Sequence, residues 1–497
     1  MSEGSETRLR LDSRPGRIAL AATILGSGAA FVEMTVVNVA IPAIGRDLGL
    51  GIAGLQWVLD GYLLTLSALM LLGGSLGDVL RRRSVFTAGL VGFAIASGAA
   101  ALAPGIRSLV AFRLAQGAAG ALLVPNSLAI VDTAFVAEDR GRAIGHWAGW
   151  SGVTSALGPL IGGWLVDAAS WRWVFAVVIP FALGAAWLAR RVVPEAAAAA
   201  DGGRRRSVDL LGAALATLGL GGVIAALVSG PAVGFSDPRI VAAGAGGVLA
   251  LAGFVVVERR APDPLLPLEI FRSPQFSGAN ATTLLVYGAL GAVFFLLMLQ
   301  LQNALGYSAL LAGVALLPIN VLLVALSPLA GRAAQRVGPR SPMTAGSLIA
   351  AAGLALLTRV RPGADYLTTV LPALAVFGLG LATLVAPLTA AVLGAVPEEE
   401  RGIASGVNNA VARLAALLAV AVLPLAAGLG GLQNLAGPAL VDGFVRAMWI
   451  SAALCVAGAA IAFLTVRAAA PVRAAPHPSP DQGCARRRAD GRRRPAA

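Results

Sequence analysis

Not one lysine occurs in this chain; all 38 of its basic residues are arginine. Charge of either sign is scarce: acidic and basic residues make up 13% of the sequence, against roughly 25% in soluble domains. That leaves too little polar surface to coat a water-soluble globule. Cysteine is nearly absent. Cys455 lies in an apolar run and Cys484 in the tail, which excludes a disulfide framework and a cysteine-based metal site. His146 and His477 are the only histidines, and no HExxH, CxxC or EF-hand spacing occurs, so neither metal nor cofactor is expected. The lack of a GxxxxGK(S/T) segment disfavours an ATP-driven pump. Gly73-Gly-Ser75-Leu-Gly77 matches a hydrolase nucleophile elbow, but it ends an apolar run where the elbow needs a strand, a turn and a histidine partner. No catalytic residues are expected, and the chain does not read as an enzyme.

What is present is hydrophobic length: 57% of the 497 residues are hydrophobic. Apolar runs of around 20 residues recur along the chain, each long enough to cross about 30 Å of hydrocarbon at 1.5 Å per residue. Helices satisfy every backbone N–H and C=O within the bilayer, whereas a β-barrel would alternate apolar and polar residues, which these runs do not. The expected fold class is an all-α membrane protein with fourteen spans. Their limits are 18–42, 56–77, 85–103, 107–128, 144–166, 172–190, 209–229, 239–258, 276–299, 309–330, 342–358, 366–388, 403–427 and 444–466. Residues 1–17 are polar, with no small-residue cleavage site behind a short apolar core, so the first span is expected to be retained.

A net charge of +13 would suit nucleic acid if the arginines were clustered on one surface, but they sit between the apolar runs. Placing the termini inside puts 29 of the 38 arginines on the inner side and 7 on the outer, leaving Arg113 and Arg413 in the membrane. The positive-inside bias therefore predicts cytoplasmic N- and C-termini. Trp57, Trp171, Trp173 and Trp449 fall at predicted outer edges, where indoles favour the interface. Residues 74–83, GSLGDVLRRR, are echoed at 331–340 by GRAAQRVGPR. Two parallel halves with a site between them are a carrier architecture. The expected organisation is a cytoplasmic segment 1–17, a six-helix half 18–190 and a linker 191–208. Two inserted helices, 209–258, and a connector, 259–275, lead to a second six-helix half, 276–466, and a disordered basic tail, 467–497.

Ionisable groups within spans are costly and mark function. Glu33 lies about 22 Å from the inner face, Arg113 about 9 Å and Asp60 about 6 Å from the outer face, so the three fall near one level on three helices. Two carboxylates beside a guanidinium form a proton-exchange cluster; the alternative is a static ion pair. Arg413, about 15 Å into its span, with Asn408 and Asn409 a turn earlier, is placed in a substrate cavity, or else acts as packing glue. Gly158, Pro159, Gly162 and Gly163 permit close helix approach and bending. Asp78, Arg82 and Arg83 lie where one face of a carrier could be locked and released.

These residues, taken in order, resemble the major facilitator superfamily, and within it the fourteen-span drug:proton antiporter family. FVEMTVVNVAIP carries Thr35, Asn38 and Pro42 of the first-span pattern, with Glu33 where the family has aspartate. WVLDGYLL places Trp57, Asp60 and Tyr62. GSLGDVLRRR matches the loop signature at Gly74, Leu76, Asp78, Arg82 and Arg83, with Arg81 in place of its second glycine. RLAQGAAGALLVP supplies Arg113, Gln116, Gly117 and Gly120; GPLIGG and SWRWVF follow. The resemblance implies a major facilitator fold, a proton-coupling role for Arg113 and exchange rather than co-transport. Asn38 and Gln116 join Asn408, Asn409 and Arg413 as cavity residues.

The function expected is proton-coupled efflux of hydrophobic or amphipathic drugs or antibiotics by a monomer in a bacterial-type plasma membrane. The alternatives are export of an endogenous lipid or secondary metabolite, or a sensor or scaffold that does not transport. Reporter fusions within 195–205 and at the C-terminus should both read cytoplasmic. An extracellular reading at either position would overturn the topology.

Overall fold

The computed structural model describes residues 8–194, 209–261 and 264–468. The linker from 195 to 208 and the tail from 469 onward, with the disorder expected of it, lie outside the described residues. Among the described residues the protein is all-helical, with one isolated bridge between Leu9 and Phe135.

Among the described residues fourteen rods follow one another: α1 (Arg14–Leu48), α2 (Ile52–Leu76), α3 (Arg82–Ala101), α4 (Ile106–Ala134), α5 (Ala137–Ala168), α6 (Trp173–Val192) and α7 (Leu210–Val233). Then come α8 (Pro238–Arg260), α9 (Pro274–Ala304), α10 (Ala309–Val337), α11 (Arg340–Leu357), α12 (Tyr366–Leu393), α13 (Arg401–Ala426) and α14 (Pro438–Thr465). Eleven runs are long and apolar enough to cross a membrane; one of these, Ile52–Ala101, joins α2 to α3, while α5 and α11 fall outside the eleven. Local chemistry sets several starts. Ser13, Asp209, Asp237 and Ser273 each accept a hydrogen bond from a first-turn N–H, and prolines fill first-turn positions in α1, α8 and α9. Gly49 ends α1 at φ 62°, a left-handed cap that suits glycine. Between α2 and α3 the chain runs through a π-helical turn, Gly77–Arg81, and reverses at Arg81 with φ 163°. That is extended backbone open to any residue, so arginine can stand where the resembled signature has glycine.

The helices pack as two groups with the same pattern of neighbours. In the first, α1 packs on α5 and α6, α3 on α4 and α6, and α2 on α4. In the second, α9 packs on α13 and α14, α11 on α12 and α14, and α10 on α12. The sequence echo has a spatial counterpart: Gly74 lies against Pro125 of α4 as Gly331 lies against Ala386 of α12. The groups meet along two seams, α2 with α13 and α5 with α10. The α7–α8 hairpin pairs with itself and sits on the first seam, touching α2 and α13, where Trp57 donates to Ser229. Trp57 is half-buried, and Trp171 is buried and donates to Asp47. Trp173 and Trp449 are the exposed indoles of the four.

The α5–α10 seam is closed at one end of the bundle only, whereas α2 also meets α13 nearer the other end, where Leu71 lies against Gly406. At the end remote from the described termini, Gln56 donates to the Val420 carbonyl at 2.6 Å and Gln302 to that of Val39 at 2.9 Å. Arg46 meets Asn303 at 3.2 Å. Asp167, late in α5, accepts from the N–H groups of Ala309 and Leu310 at 3.0 and 2.8 Å, capping α10 of the other group. These are orphan donors of a helix N-terminus, and a carboxylate is their natural acceptor. Gly163 lies against the Ala309 backbone and Pro159 against Gly313, while Gly158 and Gly162 lie against Thr35 and Val36 of α1. At the other end Gly141, Gly145, Gly149 and Gly152 of α5 face open space, and Val321, Val324 and Leu329 of α10 are exposed.

A side chain at 163 would push directly on α10 backbone, and rigid helices move rather than compress. With Arg46→Cys and Asn303→Cys in a Cys484→Ser background, oxidation should give a disulfide in high yield. Adding Gly163→Val should lower that yield severalfold, and Asp167→Asn should lower it less. An unchanged yield with Gly163→Val would show that this contact does not hold the end shut.

Candidate functional site

Between the two groups lies a cavity of about 500 Å³. α1 contributes Phe31, Met34, Thr35 and Asn38; α2 contributes Leu59, Tyr62 and Leu63; α4 contributes Arg113. Gly152 and Ser155 come from α5, and Tyr287, Leu290, Gly291 and Phe294 from α9. Val385 of α12 joins Asn409, Ala412, Arg413, Ala416 and Val420 of α13. The wall is mostly apolar and aromatic with a few convergent polar groups, the usual composition of a small-molecule site.

Behind one wall the polar groups form a chain. Arg113 Nη1 donates to Glu33 Oε1 at 2.9 Å and to Gln116 Oε1 at 2.6 Å. Its Nε donates to the Val58 carbonyl at 3.0 Å. Gln116 passes the chain on, donating to Ser97 Oγ at 2.7 Å. Tyr62 and Phe175 present ring faces to the guanidinium at 4.5 and 5.7 Å. Arg113 is 1% exposed and Glu33 0%, so the pair is sealed from water in this state. Such a pair survives burial only when most donors and acceptors are satisfied; here Glu33 Oε2 is left without a partner. Removing a carboxylate from water disfavours its charge, while a guanidinium at hydrogen-bond distance favours it. The balance is delicate because it is struck entirely inside protein.

The structure therefore brings Glu33, Arg113 and Gln116 together and leaves Asp60 apart. Asp60 is fully buried, has no ion pair, and neither of its oxygens has a hydrogen-bond partner. This corrects the expectation of one three-membered cluster facing the cavity. The reason is helical: Leu59, Tyr62 and Leu63 turn one face of α2 to the cavity, and at about 100° per residue Asp60 turns away from it. Glu33 likewise stands behind Arg113 rather than on the cavity wall.

Of the expected cavity residues, Asn38, Asn409 and Arg413 line it and Gln116 and Asn408 do not. Gln116 is held by Arg113 and Ser97. Asn408 faces α9, donating to Asn280 and Thr283 at 3.1 and 2.8 Å, because it is one residue, and so about 100°, from Asn409. Asp78 and Arg82 are paired at 2.7 Å; Arg82 also reaches the Ala129 carbonyl of α4, and Arg83 that of Val193. Sequence reasoning did not single out Phe31, Met34, Ser97, Tyr287 or Phe294. Only Tyr287 carried a signal, as one of four tyrosines in the whole chain.

A family model described as Major Facilitator Superfamily matches residues 23–420 and 324–495. The chain is 34% identical over 414 residues to the tetracenomycin C resistance and export protein of Streptomyces glaucescens, covering 83% of this chain and 76% of that one. It is 37% identical over 396 residues to the puromycin resistance protein of Streptomyces alboniger, covering 79% and 78%. It is 32% identical over 443 residues to the multidrug resistance protein Stp of Mycobacterium tuberculosis, covering 89% and 78%. Among solved structures, it shares its fold with a bacterial homolog of the human lysosomal transporter Spinster in an inward-facing, unoccupied conformation. There the TM-score is 0.63 at 17% identity, covering 91% and 97% of the two chains. A D-xylose–proton symporter gives a TM-score of 0.59 at 16% identity, covering 90% and 96%. With a family match across most of its length and relatives at this identity, the chain belongs to the Major Facilitator Superfamily and is a multi-pass membrane transporter, not an enzyme.

Proposed function

We propose that the protein exports a hydrophobic or amphipathic drug-like compound in exchange for protons, as a fourteen-span antiporter of the plasma membrane with both termini cytoplasmic. The observation that carries this is the sealed Glu33–Arg113 pair standing immediately behind a largely apolar cavity. The relatives support the cargo class: their names speak of tetracenomycin C export, puromycin resistance and multidrug resistance.

In this reading the two six-helix groups, 18–190 and 276–466, rock about the cavity while the inserted pair, 209–258, rides on the α2–α13 seam. The state described here, closed where Asp167 caps α10 and open at the end bearing the termini, is the inward-open one. In this reading Glu33 is ionised here, and this is the state after a proton has left toward the inside. Opening the other end lets water reach the pair, loosens Arg113 and allows Glu33 to take up a proton there. A proton neutralises the carboxylate and releases Arg113 from it. Asp60, buried without a partner, is a second proton holder in the same half. The links Asp78–Arg82 and Arg82–Ala129 tie the inner ends of α2, α3 and α4, so that half moves as one body.

Glu33→Gln keeps the shape and cannot ionise. In proteoliposomes with an imposed pH gradient it should abolish uphill export, while downhill exchange of substrate survives. Glu33→Asp should retain much of the uphill rate, the shorter carboxylate still reaching Arg113 with adjustment. If Glu33→Gln drove uphill export as well as the parent while Asp60→Asn did not, the proton would ride on Asp60. If neither change mattered, proton antiport through these residues would be wrong.

A further inference from the structure

Arg413 lines the cavity along with Arg113, on a helix of the other group. The two arginines differ in one respect. Arg113 has a carboxylate, an amide and a carbonyl for its donors, whereas among the described residues Arg413 has only the Met34 thioether. A thioether is a weak acceptor, and a guanidinium has five donors in a rigid fork. Phe31 offers a ring face at 5.7 Å, and Tyr62 and Tyr287 lie within electrostatic range. Among the described residues Arg413 has no carboxylate partner, and no aspartate or glutamate lines the cavity.

A guanidinium held in an apolar, membrane-embedded cavity without an anion is expensive, and such a charge is retained where something comes to meet it. Its surroundings describe that something. Phe31, Tyr62, Tyr287 and Phe294 offer aromatic faces, and Asn38 and Asn409 offer amides. A cationic cargo would bring a second positive charge into a cavity that has no wall carboxylate to answer it. An anionic one would supply the acceptor Arg413 lacks, in the planar two-point geometry that guanidinium and carboxylate share.

We propose that Arg413 is the anion-binding group of this cavity, and that the cargo is a flat aromatic compound bearing one carboxylate or similarly acidic group. This rests on the reading of the cavity as the substrate site and adds the sign of the cargo's charge.

The test measures equilibrium binding by the full-length protein in nanodiscs, using three compounds on one scaffold: anthracene carboxylate, its methyl ester, and anthracenylmethyl trimethylammonium. The parent should prefer the carboxylate to the ester by about tenfold or more, as a charge-assisted pair in a largely apolar cavity warrants, and should bind the cation weakest. Arg413→Gln should collapse the carboxylate-to-ester preference to within about twofold, and Arg413→Lys, which keeps the charge and loses the fork, should retain part of it. The parent's ranking needs no variant, so poor folding of Arg413→Gln leaves the test intact. Tightest binding of the cation, an unchanged preference in a folded Arg413→Gln, or binding of none of the three would each overturn the proposal. Because no pH gradient is involved, a failure of proton-driven export would leave this binding result standing, and the reverse.

Discussion

A guanidinium cannot be left alone in hydrocarbon, and much of the first half of this protein is arranged to keep one company. Arg113 draws Glu33 from α1, a backbone carbonyl from α2 and, through Gln116, Ser97 from α3. Tyr62 and Phe175 close over its face. Four helices are thereby tied to one side chain. Losing Glu33 would strand a buried charge, an effect of about 3–5 kcal/mol when an ion pair is broken from one side. Small residues make the approach close enough: Gly61 lies against the Arg113 side chain and Gly117 against the Tyr62 backbone. Packing and electrostatics thus support the same arrangement.

The second half is built on the same neighbour pattern and lacks such a knot. Its polar network, Asn408 with Asn280 and Thr283, is neutral and joins only α9 and α13. The asymmetry suits a division of labour in which one half handles a charge that changes and the other presents fixed groups to a ligand. The closures between halves accordingly include neutral amides on carbonyls, at Gln56 and Gln302, with charged groups contributing through Asp167 and Arg46. Contacts that must break in each cycle should be individually modest, and amide–carbonyl bonds at about 1 kcal/mol are.

Much of this was legible in the sequence because the bilayer imposes length. Apolar runs, and the arginines punctuating them, give the order of the rods. Matched depth and the costliness of charge point to Glu33 and Arg113 as neighbours although 80 residues separate them. Depth fixes a residue's level and leaves its direction open, and direction is where the reading fell short. Asp60 and Asn408 lie at suitable levels and face away from the cavity, each about 100° from a residue that faces it. The apolar spans offer little amphipathic contrast to reveal the turn, since lipid and protein core look alike to leucine. Trp171, at a span end, is buried with its N–H accepted by Asp47, a partner that span limits alone do not reveal. The end at which the seams close is a property of one conformation, and a sequence specifies both.

Arg413 carries a consequence for electrical behaviour. In the proposed cycle the two groups rock, the cavity is joined first to one aqueous phase and then to the other, and the membrane field falls across whichever end is closed. A fixed positive charge in the cavity therefore sits at a different potential in each state. Carrying one charge through the whole of a 100 mV drop is worth about 2.3 kcal/mol, and Arg413 samples some fraction of that at every turn. An empty carrier thus reorients under the influence of voltage. A carrier holding a monoanion against Arg413 has no net charge at that point and reorients without it. Membrane potential then biases one limb of the cycle more than the other, through a single side chain that never leaves the protein.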